Sequence, residues 1–382
     1  MEKLCDVCDF QGGSQPPKNE WSFEFQVGYV RMLQIRDFTQ SGKVIPEYVK
    51  ISSSIKQCAE DDILIARYGA SIGKILTGLA GAYNVAIMKT IPNVNKLRKK
   101  YLYYYLKSSY FQNSILNVGS RAAQAGFNKE DLSKLVIKCP ELTKQDEIIE
   151  ILSRLELIIE WEKQQFIKLD ELIKSRFVEM FGMPGTNEKG WGASTLGKCC
   201  VINPKKGQDK RLQIGMEVSF IPMPAISENG NIDASEIRLY DNVKTGFTYF
   251  SENDVLFAKI TPCMENGKGA VAVGLCNGVG FGSTEFHVIR PIEGVSNPYW
   301  LYGLTSFDTF RKDAAANMTG SAGQKRVPAN FLENYKVFLP PIKFQTQFAT
   351  FVHQVDKLKV EEQQRLEKAQ MLFDSLMQQY FG

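Results

Sequence analysis

Apolar side chains recur with helical spacing over two long stretches of the chain, 141–182 and 341–382. In the first stretch, positions 152, 155, 159, 162, 166, 169, 173, 176 and 180 advance by alternating steps of three and four, the spacing of a heptad seam. Proline before each stretch suits the first turn of a helix, and Gly182 suits a C-terminal cap. The pattern predicts two helices of about 40 residues, or about 60 Å each.

The seams of the two predicted helices are mostly apolar, so each helix needs a partner, and the other helix is the natural one. Glu162 and Glu362 interrupt the seams at equivalent positions and either fix the register between the helices or are solvated. The residues predicted to pack between the helices are Leu152, Leu155, Ile159, Phe166, Leu169 and Ile173 from the first and Val352, Val355, Leu366, Phe373 and Leu376 from the second.

The two helical stretches belong to a repeat that runs through the whole chain. Segments 131–182 and 331–382 align without a gap, and both end on Phe-Gly. The preceding segments correspond more weakly, for example CAEDDILIAR (58–67) with FSENDVLFAK (250–259). We therefore interpret the chain as a tandem pair, in which each copy is a globular head followed by a long helix.

Each head is predicted to be a mixed α/β (α+β) domain, because short β-branched and aromatic segments alternate with Gly, Asn and Pro turns. The run KLRKKYLYYYL (96–106) has the basic residues and tyrosines of a nucleic-acid-binding stretch, but it is interpreted as a helix with a packed aromatic face. Two related heads on two related helices predict a pseudo-twofold arrangement, with the helices antiparallel in a coiled-coil rod. The predicted divisions are head 1 (1–140), the first helix (141–182), a linker (183–195), head 2 (196–340) and the second helix (341–382).

The composition is that of an ordinary soluble globular protein, with 44% hydrophobic and 23% charged residues. No apolar run reaches the roughly 18 residues of a membrane span, and the first residues lack a signal-peptide core. We therefore expect a cytoplasmic protein. The net charge is only +4, so strong binding to DNA would need local positive charge or partner proteins.

The eight cysteines do not form a recognisable metal-binding pattern. Cys5 and Cys8 have zinc-ligand spacing, but only the adjacent pair Cys199 and Cys200 offers further ligands, and adjacent cysteines chelate poorly. Buried reduced thiols are expected instead, and no metal site is predicted.

Motifs of common nucleic-acid enzymes are also missing from the sequence. An amino-methyltransferase needs an Asn/Asp-Pro-Pro-Tyr/Phe loop for the flipped base, whereas INPKK (202–206) has one proline and no aromatic residue. The stretch GASIGKI (69–75) lacks the spacing and the terminal Ser/Thr of a P-loop. Two scattered histidines suggest no acid–base pair. We therefore expect a chain that is not itself an enzyme.

Residues suited to reading DNA occur on loops at equivalent places in the two heads. Base edges and phosphates are bound by Arg, Lys, Asn, Gln and Ser side chains, and the alternative for each residue is a solvated turn. The candidates in head 1 are Gln11, Ser14, Gln15 and Lys18, then Arg67, Tyr68, Ser71 and Lys74, then Ser120, Arg121 and Gln124. Those in head 2 are Asn203, Lys205 and Lys206, then Lys259, Thr261, Asn266 and Lys268, then Ser321, Gln324, Lys325 and Arg326. Because Arg67 and Lys259 follow equivalent strands, they suggest a shared role in holding the DNA backbone.

The order and duplication of these segments resemble the specificity subunit of Type I restriction–modification systems. The resemblance covers essentially the whole chain and rests on DFQGGSQPPK (9–18), DDILIARYGASIGK (61–74), NDVLFAKITPCMENGKGA (253–270), LPPIKFQTQFATFV (339–352) and the paired endings KSRFVEMFG and DSLMQQYFG. It implies that each head is a target recognition domain that reads one half of a bipartite sequence in double-stranded DNA. It also implies that the helices set the spacing and dock two modification (methyltransferase) subunits. Those partners bind S-adenosylmethionine and methylate adenine N6, and restriction/translocase subunits join them, so that this chain holds no cofactor.

Two other interpretations of the sequence predict different biochemistry. A non-catalytic assembly scaffold with two protein-binding heads would give only weak, sequence-indifferent DNA binding in the complete complex. An enzyme in its own right would transfer methyl groups as the purified chain.

Overall fold

The computed structural model of the chain describes residues 1–40, 42–119, 126–321 and 323–382. These residues form two compact units. Unit 1 comprises Met1–Glu162 and Gln364–Gly382, and unit 2 comprises Lys163–Gln363. Each unit therefore contains one head and one half of each long helix. The divisions between the units fall inside the helices, whereas the predicted divisions separate heads from helices.

Head 1 is built from short strands and helices, and its strands are two to six residues long. The strands are β1 (Glu2–Lys3), β2 (Cys8–Gly12), β3 (Trp21–Ser22), β4 (Tyr29–Leu33), β5 (Tyr48–Lys50), β6 (Gln57–Cys58), β7 (Leu64–Ala66), β8 (Ile75–Leu76), β9 (Gly81–Tyr83), β10 (Ile87–Pro92) and β11 (Val136–Ile137). The helices are α1 (Leu4–Val7), α2 (Ile35–Thr39), α3 (Lys99–Lys107), α4 (Ser109–Gly119) and α5 (Lys129–Ser133), followed by the long helix α6 (Leu142–Phe181).

Two sheets form the body of head 1. The central sheet has the order β2-β10-β7-β8 and is antiparallel throughout. The second sheet has the order β3-β5-β4-β9-β6, in which β4 and β9 are parallel. Helix α3 belongs to the same hydrophobic core cluster as the central sheet, and its Tyr101, Tyr104 and Tyr105 are all buried. The prediction of a helix with a packed aromatic face is confirmed.

Head 2 repeats this arrangement. Its strands are β12 (Gly192–Thr195), β13 (Cys200–Ile202), β14 (Glu217–Ile221), β15 (Ile237–Leu239), β16 (Thr248–Ser251), β17 (Val255–Ala258), β18 (Gly269–Val271), β19 (Val279–Gly282), β20 (Phe286–Pro291) and β21 (Lys336–Leu339). Its helices are α7 (Leu196–Cys199), α8 (Tyr240–Val243), α9 (Pro298–Ser306), α10 (Asp308–Ala316) and α11 (Ala329–Asn334), followed by the long helix α12 (Ile342–Phe381). The central sheet has the order β13-β20-β17-β18, and the second has β15-β14-β19-β16 with β14 and β19 parallel. The two heads share one topology, as the internal repeat predicts, except that β3 adds a fifth strand to the second sheet of head 1.

The halves of α6 and α12 within each unit run antiparallel. In unit 1, Lys138 lies just before α6, and its Nζ donates to the carbonyl oxygen of Gly382 at 3.4 Å, at the end of α12. In unit 2, the rings of Phe177, near the end of α6, and Phe348, near the start of α12, lie 5.4 Å apart. The predicted antiparallel pairing is therefore present in both units.

The predicted packing residues lie on the covered faces of the two helices. Among them, Leu152, Ile159, Val352, Val355 and Phe373 are buried. The half-buried ones are Leu155, Phe166, Leu169, Ile173, Leu366 and Leu376. Glu162 is only 5% exposed, so the interpretation as a solvated seam position is wrong for this residue.

The cysteines differ in part from the expectation of buried thiols. All eight are free, but Cys5, Cys139, Cys263 and Cys276 are only half-buried. Among the described residues no group of three or more potential ligands is placed to hold a metal ion. No helix in the same part of the chain combines the length and the apolar character that crossing a membrane requires.

Candidate nucleic-acid interface

Apart from Gln11, which lies in β2, the described candidate residues lie on three loops at one end of the central sheet of each head. The first loop follows the first strand of that sheet, at 13–18 in head 1 and 203–209 in head 2. The second loop joins β7 to β8 (67–74) or β17 to β18 (259–268). The third loop precedes α5 or α11, and its described parts are 126–128 in head 1 and 317–321 with 323–328 in head 2.

Arg67 connects the second and third loops of head 1. Its Nε donates to the carbonyl oxygen of Phe127 at 3.3 Å, and its Nη1 donates to that of Val85 at 3.4 Å. The next residue, Tyr68, forms an isolated bridge with Gly126. A Cβ added to Gly126 would lie 2.4 Å from the ring of Tyr68, so only glycine allows the two loops to approach this closely. Arg67 is thus held with a fixed orientation.

The first loop of head 1 is fixed against the same end of the sheet. The backbone N–H of Ser14 donates to the carbonyl oxygen of Tyr83 at 3.0 Å, and the hydroxyl of Ser14 accepts from the N–H of Lys56 at 3.0 Å. The buried Tyr83 donates its hydroxyl to Oε1 of Gln11 at 3.0 Å. Gln11 and Ser14 therefore position the loop, and Gln15 is the exposed residue beside them.

In head 2 an ion pair connects the third loop with the segment before β20. Arg326 donates from Nε and Nη2 to both carboxylate oxygens of Glu285, at 2.9 and 2.8 Å. This pairing lowers the pKa of Glu285. Lys259 lies beside the pair, and partial burial lowers the pKa of its ammonium group. Backbone hydrogen bonds also connect the start of the second loop with these two segments. The N–H of Lys259 donates to the carbonyl oxygen of Glu285, and the carbonyl oxygen of Lys259 accepts from the N–H of Val327, both at 2.9 Å.

Asn203 and His287 join the first and third loops of head 2. Nε2 of His287 lies 2.7 Å from the carbonyl oxygen of Val327. A carbonyl oxygen can only accept a hydrogen bond, so Nε2 carries the proton. Its Nδ1 then accepts from the side-chain amide of Asn203 at 3.0 Å. Asn203 has a positive φ of 53°, and its side-chain oxygen accepts from the N–H of Val288 at 3.0 Å. These contacts give Asn203 a positioning role in the first loop.

The exposed members of the candidate set project from loops that are fixed in this way. In head 1 they are Gln15, Lys18, Tyr68 and Lys74, and in head 2 they are Asn203, Lys205, Asn266, Ser321, Gln324 and Lys325. Ser71 is half-buried, and Thr261 exchanges two hydrogen bonds with the backbone of Lys325, at 3.0 and 2.9 Å. The loop residues therefore separate into outward side chains, which are available to a ligand, and side chains that hold the loops.

Three candidate lysines have other partners. Lys18 lies over the ring of Trp21, with Nζ 3.7 Å from its centroid, and forms an ion pair with Glu47 at 3.4 Å. Lys206 donates to the carbonyl oxygen of Lys244, and Lys268 donates to that of Met223 at 3.2 Å. Of the remaining candidates, Ser120, Arg121 and Gln124 lie outside the described residues.

The sequence did not reveal the residues outside the loops whose side chains hydrogen-bond to them. Glu285 and His287 lie in the segment that aligns with Asn84–Lys89, so the repeat itself was the available signal. Gln112 lies near the start of α4 and Arg311 near the start of α10. Their side chains donate hydrogen bonds to backbone carbonyl oxygens of the second loops. A polar residue on a short helix has no sequence pattern that would reveal such a contact.

The chemistry of these surfaces suits a polyanion with readable edges. Each head presents a cationic residue at the start of its second loop, Arg67 or Lys259, among outward amide, hydroxyl and ammonium groups. Cations of this kind bind phosphate oxygens, and amide and hydroxyl groups bind base edges. In each head these groups come from loops that are distant in sequence but meet at one end of a sheet.

Comparison with known proteins identifies relatives of the chain. Residues 1–171 and 188–370 match the model of the Type I restriction modification DNA specificity domain. The chain is 36% identical over 247 residues to the Type I restriction enzyme EcoAI specificity subunit of Escherichia coli and 35% identical over 246 residues to the EcoEI specificity subunit of the same organism. Each alignment covers 62% of this chain but only 41% of the relative. The chain thus spans less than half the length of the two E. coli relatives.

A solved structure is similar over the whole chain. The S subunit of a Type I restriction–modification system from M. genitalium has a TM-score of 0.53 at 13% identity, and the match covers 100% of this chain and 95% of that one. At this identity the similarity shows the fold, with its two heads and two long helices.

Proposed function

Because the chain belongs to the family of Type I restriction modification DNA specificity domains, we propose that it is the DNA-reading subunit of a modification complex. Each head reads one half of a bipartite sequence in double-stranded DNA. The long helices set the spacing between the halves and dock two modification subunits. The chain acts in the cytoplasm, where those subunits meet DNA.

One observation carries the proposal. In both heads, loops from distant parts of the sequence meet at the same end of the central sheet, and a cationic residue begins the second loop. In head 1 the guanidinium of Arg67 donates to backbone carbonyl oxygens, and in head 2 the backbone of Lys259 is hydrogen-bonded to Glu285 and Val327. The outward residues differ between the heads, with Gln15, Tyr68 and Lys74 in head 1 and a different set in head 2. A common frame with different outward groups is what reading two unlike half-sites requires.

Exposed apolar side chains on α6 support the proposal that the long helices bind other proteins. In unit 1, α6 exposes 70% of Leu157 and 55% of Trp161, which are four residues apart and therefore share one face of the helix. Apolar residues grouped on a surface typically mark contacts with other proteins. We assign this face to a modification subunit, which binds S-adenosylmethionine and carries out the methylation of adenine N6.

The modest net charge of +4 supports a division of labour in binding DNA. Phosphate neutralisation supplies most of the non-specific affinity for DNA, and few phosphates can be neutralised by this chain alone. The isolated chain is therefore expected to bind DNA weakly, and the complete complex to bind tightly. Tight, specific binding by the isolated chain at physiological salt would contradict this expectation.

The test is a methyl-transfer assay with purified components. The chain is co-purified with the modification subunits encoded beside it, and transfer of labelled methyl groups to DNA is measured with and without the chain. We expect N6-methyladenine in one bipartite motif only when the chain is present, and no transfer by the chain alone. A complex with equal activity in the absence of the chain, or with sequence-indifferent binding, would support the scaffold interpretation instead.

A further inference from the structure

The second helix of the helical pair in each head carries a polar side chain at the same position. Gln112 in α4 and Arg311 in α10 both follow the helix start closely, since their N–H groups donate to the carbonyl oxygens of Ser108 and Phe307, each at 3.0 Å. Both side chains turn back towards the second loop. The two residues therefore occupy one position of the shared topology, although their chemistry differs.

Gln112 joins the second loop of head 1 to the end of α3. Its Nε2 donates to the carbonyl oxygen of Leu106 at 2.6 Å and to that of Gly73 at 3.0 Å. Gly73 has a φ of +80°, and an added Cβ would lie 2.9 Å from Oε1 of Gln112. The loop backbone therefore lies directly on the amide group.

Arg311 makes the same connection in head 2 with more donors. Its Nε donates to the carbonyl oxygen of Thr305 at 2.7 Å, which is the counterpart of the contact with Leu106. Its Nη1 and Nη2 donate to Met264 at 2.9 Å, Lys268 at 3.3 Å and Gly267 at 3.1 Å. The side chain is only 6% exposed, and burial lowers its pKa to about 10.

The acceptors of Arg311 indicate what the residue is for. All four bonds go to backbone carbonyl oxygens, and three of these belong to the second loop. A buried cation without a carboxylate partner in these bonds is costly to desolvate, so an apolar residue of similar volume would suit the core as well or better. The guanidinium instead fixes the backbone conformation of the second loop, because it donates to three of the loop's carbonyl oxygens.

The same point of the second loop is held in each head. Gly73 precedes Lys74, and Gly267 precedes Lys268. An equivalent backbone bond closes both loops, from the N–H of Ala66 to the carbonyl oxygen of Lys74 at 2.9 Å and from the N–H of Ala258 to that of Lys268 at 3.2 Å. The loop of head 2 is two residues longer, 259–268 against 67–74, and the longer side chain with more donors holds the longer loop.

We propose that Gln112 and Arg311 are equivalent positioning residues that fix the second loops, and that each sets how strictly its own head reads its half-site. The inference rests on the proposed function, since the specificity of a half-site has meaning only if the heads read DNA. Neither residue is placed to contact DNA itself. Each acts through the carbonyl groups of the loop.

The first experiment measures the loop and needs no DNA. Hydrogen exchange of the full chain is compared between wild type and the variants Gln112→Met and Arg311→Met, which remove the donors. Gln112→Met keeps the side-chain length, whereas Arg311→Met shortens the side chain. The expected result is exchange at least about tenfold faster at Gly73 and Lys74, or at Gly267 and Lys268, with the rest of the head unchanged. Exposed neighbours supply matched controls in Asn113→Met and Lys312→Met. Unchanged exchange in the loops would overturn the positioning role.

The second experiment measures specificity in the complete complex. Adenine methylation of genomic DNA is mapped for the complex with each variant, and every departure from the wild-type motif is counted. Arg311→Met is expected to relax one half of the motif at least about tenfold, Gln112→Met the other half, and the controls neither. Arg311→Lys, which keeps the charge with a single nitrogen, should fall between.

The outcomes separate the two proposals. Loops that exchange faster while both halves of the motif stay as strict as in wild type would overturn the specificity role alone. A wild-type complex that methylates no bipartite motif would overturn the proposed function together with the specificity role, and the exchange result would still decide whether the two residues hold the loops.

Discussion

Replacing Gln145 by methionine is expected to destabilise unit 1 by about 3 kcal/mol. Gln145 lies in the first turn of α6 and is fully buried, at 0% exposure. Its Oε1 accepts from the N–H of Arg98 at 2.9 Å, and its Nε2 donates to the carbonyl oxygens of Lys96 and Pro140 at 2.7 and 2.8 Å. The side chain thus ties the start of the long helix to the segment that leads into α3.

Gln345 makes the same three bonds in unit 2. It is also fully buried, accepts from the N–H of Asn297 at 2.8 Å, and donates to Val295 at 3.0 Å and Pro340 at 2.8 Å. A buried hydrogen bond contributes about 1 kcal/mol net, and methionine would leave three backbone groups without these bonds. The sum gives about 3 kcal/mol for either variant, since the volume change is small.

Urea unfolding followed by hydrogen exchange resolves the two units separately. With a slope of about 2 kcal/mol per M, the loss corresponds to a midpoint about 1.5 M lower in the unit that carries the substitution. Gln347 is exposed in the same turn as Gln345, so Gln347→Met is the matched control and should change little. If Gln145→Met and Gln345→Met cost no more than this control, the two glutamines do not anchor the helices.

Other features of head 2 lead to further predictions. Asp254 is 1% exposed and accepts two hydrogen bonds from Arg290, at 2.8 and 2.6 Å. Asp254→Ala should therefore lower the free energy of unfolding, measured in urea, by about 3–5 kcal/mol. A decrease below about 1 kcal/mol would contradict a stabilising role for this buried pair. Burial lowers the pKa of His287, so below about pH 6.5 the unfolded state binds a proton that the folded state does not. The unfolding free energy should therefore fall as pH drops from 6.5 towards 5, by up to about 1.4 kcal/mol per pH unit, and His287→Gln should remove this slope. For the complete complex, Lys259→Ala should weaken binding to all DNA sequences and reduce the salt slope by about 1, whereas an unchanged slope would exclude a phosphate contact.

The long helices could be predicted from the sequence almost to the residue. The apolar pattern predicts 141–182 and 341–382, and the helices are Leu142–Phe181 and Ile342–Phe381. A seam that repeats over about 40 residues leaves little ambiguity, because strands never sustain a period of 3.5. The repeat likewise predicted that the two heads share one topology.

The two-sheet construction of the heads was not predictable. Most of their strands are two to five residues long, too short for a period of two to emerge. The parallel pair β4 and β9 joins segments almost 50 residues apart in sequence, through contacts that no local pattern encodes.

The sequence does not show which loop side chains make contacts within the protein, and this limits the prediction of the candidate surface. Arg67 and Lys259 are predicted to lie at this surface because both follow a recognisable strand. Lys18 was assigned to the same surface, but it pairs with Glu47 and packs on Trp21, a combination that only the folded second sheet creates. Sequence identifies which residue types occupy a loop, and the fold decides which of them point outwards.

The central claim is that this chain selects a bipartite DNA sequence for modification. It is tested most directly by mapping N6-methyladenine across the genome that carries the gene, with the gene intact and with it deleted, while the proposed modification subunits remain expressed. The account predicts that methylation disappears from one motif with two separated halves and persists elsewhere. An identical methylation map in both strains would contradict it.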